Sequence, residues 1–202
     1  SAGVNIAFGI ATMIIGIPTG VKIYDWMATM WRGRIRVTAP IVYLTGFFLL
    51  FVIGGLSGII LANPSIDYQV HNSTFLVAHF HNVIIPGVLY GMLAGIHYWF
   101  PKAFGFRLSE TWGRRTAFLF VGGFVFTFMP LYVLGLMGVT RRMSHFDDPS
   151  LQIWFIIAAF GALLIAGGIG SFILSIVVAV IKRDKLRDET GDPWGDGRTL
   201  EW

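Results

Sequence analysis

The chain has 202 residues and a formal net charge of +4, with 55% hydrophobic and only 13% charged residues. A soluble domain is about 45–50% apolar and about 25% charged, so this composition, with a mean hydropathy of +0.70, argues against a water-soluble domain and for a chain solvated mostly by lipid. The absence of cysteine excludes disulfides, cysteine-ligated clusters and thiol chemistry.

Five apolar segments follow one another, at about residues 3–31, 40–62, 73–100, 116–138 and 151–181. Each reaches the ~20 residues that a helix needs to cross the hydrocarbon core. The sequence therefore predicts an all-α integral membrane protein with five transmembrane helices and a polar tail over 182–202. The start at Ser1 in Ser-Ala-Gly-Val-Asn and the end at Trp202 within a polar stretch suggest a piece of a longer protein.

The basic residues sit in short clusters between the apolar runs, which gives nucleic-acid binding no support. Arg32, Arg34 and Arg36 follow the first segment, Lys102, Arg107, Arg114 and Arg115 the third, and Lys182, Arg183, Lys185 and Arg187 the fifth. Of the alternate loops, Asn63 to Asn72 carries no basic residue and the other carries Arg141 and Arg142. By the positive-inside rule the first, third and fifth segments end in the cytoplasm, and so does the C-terminus.

In the first segment Lys22 lies ten residues before Arg32, too deep for easy snorkelling. It follows Ile17-Pro18-Thr19-Gly20-Val21, and Thr19 shares its helix face. A buried lysine beside a hydroxyl is a candidate proton relay; the alternative is a structural lysine bonded to carbonyls that a Pro18 kink exposes. Glycines recur four apart at Gly16 and Gly20, Gly54 and Gly58, and Gly87, Gly91 and Gly95, as expected where helices pack closely in lipid. Pro86 predicts a second kink or local unwinding in the third segment.

The third segment holds Ala78-His79-Phe80-His81-Asn82. Ionisable residues within a membrane helix are costly and mark function by default. At 3.6 residues per turn the two histidines project about 200° apart. They are therefore poorly placed to share one metal and well placed to bind two centres, one on each flank, with Phe80 between them. Imidazole is the usual proximal ligand of haem iron, so the geometry suggests a helix between two haems. The alternative is a pair of histidines bonded to polar neighbours in the bundle. A helix starting near Ser73 places His79 about 9 Å in, and Arg141 and Arg142 lie at the same outer level. Two arginines there are suited to outward-pointing propionates; the alternative is an ordinary loop pair. His97, near the cytoplasmic end of this segment, reads as an interfacial structural residue, and His145, beside Asp147 and Asp148, as part of a solvated loop.

Taken together, Ile17-Pro18-Thr19-Gly20-Val21-Lys22, Ala78-His79-Phe80-His81, Gly138-Val139-Thr140-Arg141-Arg142 and Asp192-Pro193-Trp194 with Thr199-Leu200-Glu201-Trp202 resemble subunit I of the haem-copper terminal oxidases. The resemblance runs over essentially the whole chain and implies that the five segments are the last five of a twelve-helix bundle. It implies that His79 ligates the iron of the high-spin, oxygen-binding haem opposite copper, and that His81 is one of two ligands of the low-spin haem iron. Phe80 would lie between the haems, Arg141 and Arg142 would pair with propionates, and Thr19 and Lys22 would belong to a proton pathway from the cytoplasm. The copper ligands, the second low-spin ligand and an acidic proton pathway are expected outside this chain, before Ser1, so the piece alone would be inactive.

Cytochrome c oxidases of this family typically have His-Asp, which helps to bind magnesium, and His-Tyr where this chain has His71-Asn72 and His81-Asn82. Loss of a carboxylate removes a ligand that magnesium favours, which weakens His71 as a candidate divalent-metal ligand. Asn72, Asn82 and Gly191-Asp192-Pro193-Trp194 look more like the bo-type ubiquinol oxidases. The expected function is thus oxidation of ubiquinol by oxygen, coupled to proton pumping in a bacterial cytoplasmic membrane, with oxidase subunits II and III as partners. Cytochrome c as donor is the nearest alternative, and a haem-free transporter or channel is the alternative from another class.

Overall fold

The computed structural model describes residues 2–195. The Thr199-Leu200-Glu201-Trp202 part of the expected motif lies outside the described residues. Among the described residues there are seven α-helices: α1 (Ala2–Met30), α2 (Ala39–Ala62), α3 (Pro64–Val70), α4 (Thr74–Ile84), α5 (Gly91–Phe104), α6 (Glu110–Leu136) and α7 (Gln152–Ile181). A π-helical turn, Ile85–Tyr90, joins α4 to α5, so that Thr74–Phe104 runs as one span. Together with α1, α2, α6 and α7 this gives five helices long and apolar enough to cross a membrane.

Three boundaries differ from the sequence reading for local reasons. Helix α6 begins at Glu110, so Arg114 and Arg115 lie on its first turns and not in a loop. The expected loop from Asn63 to Asn72 contains α3, which starts at Pro64 and is capped by the Asn63 side chain accepting from Ser65 N–H at 3.0 Å. The two internal prolines also differ. Pro86 has no N–H to donate, and the ladder widens there into the π turn, the local unwinding expected. Pro18 lies within an unbroken α1.

The core lies between α2, the π turn, α5 and α6, where Tyr43, Leu50, Tyr90, Leu93, Phe120 and Phe124 are buried together. Helices α6 and α7 are held close by Gly123 and Gly161, where an added methyl on either would meet the other's backbone oxygen. Of the four-spaced glycines, Gly54, Gly58 and Gly87 stand at close approaches, while Gly20 and Gly91 face open space. The chain's outer faces are rich in exposed Ile, Leu, Val and Phe, as in a bundle solvated by lipid.

The ends of the spans gather at two opposite ends of the bundle. The turn after α5 meets the segment after α7: Arg107 N–H donates to Leu186 O at 2.9 Å, and Arg107 Nη2 lies 3.3 Å from Asp188 Oδ1. Arg36 donates to Trp194 O at 3.2 Å, and Trp194 stacks on Tyr98 with 5.6 Å between centroids. At the opposite end, residues 72–74 pair with residues 139–141.

Candidate functional site

The site is built on α4. Ser73 starts this helix, its Oγ accepting from Phe75 N–H at 3.2 Å, while Thr74 N–H donates to Val139 O at 2.9 Å. Arg141 N–H donates to Asn72 O at 2.9 Å, and its Nε and Nη2 both donate to Asn72 Oδ1, at 3.2 and 2.8 Å. The arginine loop is therefore clamped to the level at which the histidine helix begins. Arg142 beside it is exposed, in the left-handed region with φ of 67°.

The histidine rings turn to different helices. His79 faces α2: its Nδ1 lies 3.0 Å from Gly54 O and 3.0 Å from Ser57 Oγ. A carbonyl only accepts, so Nδ1 carries the proton and Nε2 keeps its lone pair. His81 faces α6, stacked on Phe128 at 4.4 Å and 21°, with Phe80 against its other side at 4.3 Å. Its Nδ1 is 2.8 Å from Val77 O one turn back, which fixes the same tautomer. Each imidazole is thus oriented with one nitrogen available to a metal. Among the described residues no three metal-ligating side chains converge.

Close approach of α2 makes the His79 environment possible. A Cβ on Gly58 would lie 3.0 Å from His79 Cε1, and one on Gly54 would lie 2.9 Å from the backbone C and O of Asn82. Asn82 is fully buried and donates to Ala78 O at 2.9 Å. Sequence reasoning missed Ser57, which lies 2.9 Å from Tyr132 Oη on α6 as well as beside His79. The available signal was a lone hydroxyl between Gly54 and Gly58 in an otherwise apolar run.

A cleft of about 1110 Å³ opens between α1, α2, α3 and α4, lined by His79, Gly55, Gly58, Leu76 and, from α1, Gly16 and Thr19. A smaller pocket of about 300 Å³ is lined by Pro18, Thr19, Lys22 and Trp26, and shares Thr19, Ile23 and Phe51 with the cleft. Thr19 thus lines both the pocket beside Lys22 and the cleft beside His79. Lys22 itself is exposed in this chain, on a helix that packs against α2 and α3 and buries Gly9 and Ile23. Lys22 is not bonded to carbonyls freed by Pro18; Thr19 Oγ1 donates to Ile15 O at 3.1 Å.

The other histidines stand apart. His97 is buried, 4% exposed, and packs among Tyr43, Phe172 and Gly113. A Cβ on Gly113 would lie 2.9 Å from its Nε2, which is buried without a hydrogen-bond partner among the described residues. His71 has an exposed side chain paired with Asp67 at 3.4 Å, two ligand-type groups only. His145 bonds Asp147 at 2.6 Å in an exposed loop.

A family model described as Cytochrome C and Quinol oxidase polypeptide I matches residues 1–164. The chain belongs to this family. A probable cytochrome c oxidase subunit 1 from Bradyrhizobium diazoefficiens is 54% identical over 98% of the chain, and a cytochrome bo(3) ubiquinol oxidase subunit 1 from Buchnera aphidicola is 54% identical over 100% of it. The chain spans 30% of the length of each relative. A solved heme-copper terminal oxidase dimer has the same fold over 88% of this chain and 37% of that one, with a TM-score of 0.75 at 18% identity. Membership of this oxidase family implies haems and copper, and the residues here fit the haem part. Two oriented imidazoles each offer a free Nε2, one of them beside a cleft of about 1110 Å³.

Proposed function

We propose that this chain is the C-terminal part of the catalytic subunit of a respiratory terminal oxidase that reduces oxygen to water with electrons from ubiquinol and translocates protons. The observation that carries the reading is the pair of imidazoles on α4, each with Nδ1–H held by a carbonyl and each turned to a different neighbouring helix. His79 ligates the iron of the oxygen-binding haem in the cleft, and His81 ligates the low-spin haem iron on the α6 flank. Haem iron supplies reversible one-electron chemistry at both positions. The chain's own residues orient and insulate. Gly54 O fixes the His79 tautomer, Phe80 and Phe128 hold the His81 ring between apolar faces, and the Asn72 clamp holds Arg141 at propionate level beside Arg142.

Thr19 and Lys22 lie on a proton route from the cytoplasmic side. Support comes from the residues Thr19, Ile23 and Phe51 that line both cavities. The exposed face of α1 that carries Lys22 is covered, in this reading, by the remainder of the subunit. Residues 1–181 form this part of the membrane domain and 182–202 a cytoplasmic tail, in a bacterial cytoplasmic membrane with subunits II and III as partners. Copper is held by residues outside this chain.

Cytochrome c is the second reading for the donor, because relatives named for either donor are 54% identical. Asn72 and Asn82 favour quinol: Asn72 Oδ1 is taken by Arg141, and the residue carries no carboxylate for a hard cation. Oxidation assays of the purified complex with ubiquinol and with reduced cytochrome c decide the donor. Reduced and carbon-monoxide difference spectra test the ligands. His79→Ala loses the carbon-monoxide-binding haem and His81→Ala loses the low-spin band. Retention of both signals in both variants would overturn the assignment of His79 and His81 as ligands, and a wild-type complex without haem bands would favour the haem-free transporter or channel.

A further inference from the structure

Ser57 Oγ lies within hydrogen-bond distance of three groups: Gly54 O at 2.8 Å, His79 Nδ1 at 3.0 Å and Tyr132 Oη at 2.9 Å. A serine hydroxyl has one proton and two lone pairs. Gly54 O only accepts, and the Nδ1–H of His79 only donates once Nε2 is used for a metal. The arrangement that satisfies every group therefore has one direction. Tyr132 O–H donates to Ser57, Ser57 O–H donates to Gly54 O, and His79 Nδ1–H is shared between Gly54 O and Ser57 Oγ. Both acceptors of the histidine proton then already accept from another donor, so the imidazole competes for the lone pairs of each.

From this geometry we propose that Tyr132, acting through Ser57, limits how strongly the His79 Nδ1–H is pulled and so sets how much electron density His79 gives to the iron it holds. The inference rests on the reading of His79 as an axial ligand. Outer hydrogen bonds of this kind fix ring orientation and tune ligand basicity. Tyr132 is thus a positioning residue; it touches Ser57 and Phe75, and its influence reaches His79 only across the serine hydroxyl.

Tyr132→Phe in the full oxidase complex removes one oxygen and keeps the ring, including its edge contact with Phe75 at 5.0 Å and 74°. Ser57 Oγ and Gly54 O then become better acceptors, and the imidazole gains anionic character. The expected result is an upward shift of the iron–histidine stretching band in the reduced enzyme. The reduction potential of the haem bound at His79 falls, and that of the low-spin haem does not move. In a Ser57→Ala background the same Tyr132→Phe change produces no further shift, because the connection is already cut. An unshifted band and potential in Tyr132→Phe, or an equal shift with and without Ser57, would overturn the proposal. Its failure is separable from that of the functional reading: if His79→Ala keeps the carbon-monoxide-binding haem, the ligand assignment is wrong. If His79→Ala loses that haem while Tyr132→Phe is silent, only this inference falls.

Discussion

The run Gly54-Gly55-Leu56-Ser57-Gly58 offers three alanine substitutions within about one turn of α2, and their surroundings rank them. A methyl on Gly55 meets nothing within 4 Å. One on Gly58 lies 3.0 Å from His79 Cε1, so a ring that can tilt must yield by ~0.4 Å to reach ordinary contact. One on Gly54 lies 2.9 Å from the carbonyl carbon and oxygen of Asn82, which belong to the α4 backbone and can yield only if two helices part. Overpacking of this kind costs about 1–3 kcal/mol, and separation of α2 from α4 also stretches the 3.0 Å bond from His79 to Gly54 O beyond the useful range of ~2.7–3.2 Å. The complex carrying Gly55→Ala is expected to match wild type in thermal midpoint and in carbon-monoxide difference spectrum. Gly58→Ala keeps the midpoint within a few degrees but shifts the spectrum, since the ring moves. Gly54→Ala lowers the midpoint and bleaches the haem signal. Equal behaviour of Gly54→Ala and Gly55→Ala would refute the claim that the two helices meet backbone to backbone here.

Two further outcomes concern the segment after α7. Trp194 is held by its stack on Tyr98 and by Nε1–H donating to Tyr98 O at 3.0 Å, so Trp194→Ala should sharply raise the rate of proteolytic cleavage between residues 182 and 195 while leaving both haem bands unchanged. Asp188 accepts from the Thr190 hydroxyl at 2.8 Å and pairs with Arg107, and these contacts, the threonine bond first, hold its carboxyl below the ordinary value of 3.8. A depressed folded value means that this contribution is present above the ordinary value and lost as pH falls through the folded one. Cleavage of the wild-type segment is therefore expected to be flat from neutral pH down to about 4 and to rise only in stronger acid, whereas Asp188→Asn should cleave faster already at neutral pH. A wild-type rise beginning near pH 6 would point to a histidine instead.

Much of this architecture is legible in the sequence because lipid imposes one simple rule: an apolar run of sufficient length must be a helix with its backbone bonds closed on itself. That rule places all five spans to within a few residues, apart from the early start of α6 at Glu110. The opposed projection of His79 and His81 is equally legible, since it depends only on helical period. Burial is not. Lys22 reads as buried because depth along a helix is visible in a sequence; which face is packed is not, and within this chain α1 turns Gly9 and Ile23 inward. The enclosure of His97 by Tyr43 and Phe172 is equally hidden in the sequence, because both rings come from other helices. Ser57 and Tyr132 are 75 residues apart and meet only when α2 and α6 flank α4.

The different fates of the two histidines follow from which helix stands on each flank. Toward α2 the glycines at 54 and 58 bring backbone oxygen and a hydroxyl up to His79, so its outer shell is polar and joined to a second helix. Toward α6 the facing residue is Phe128, so His81 keeps only a bond to Val77 O within its own helix and is otherwise sandwiched by aromatic rings. A histidine whose N–H is shared between two external acceptors responds to movements of α2 and α6. One bonded within its own helix moves with α4 as a rigid unit. If His79 holds the ligand-binding iron and His81 the electron-passing one, as proposed above, the responsive shell belongs to the first. Residues 57 and 132 are therefore the places where a substitution should alter the ligand-binding centre without disturbing electron entry.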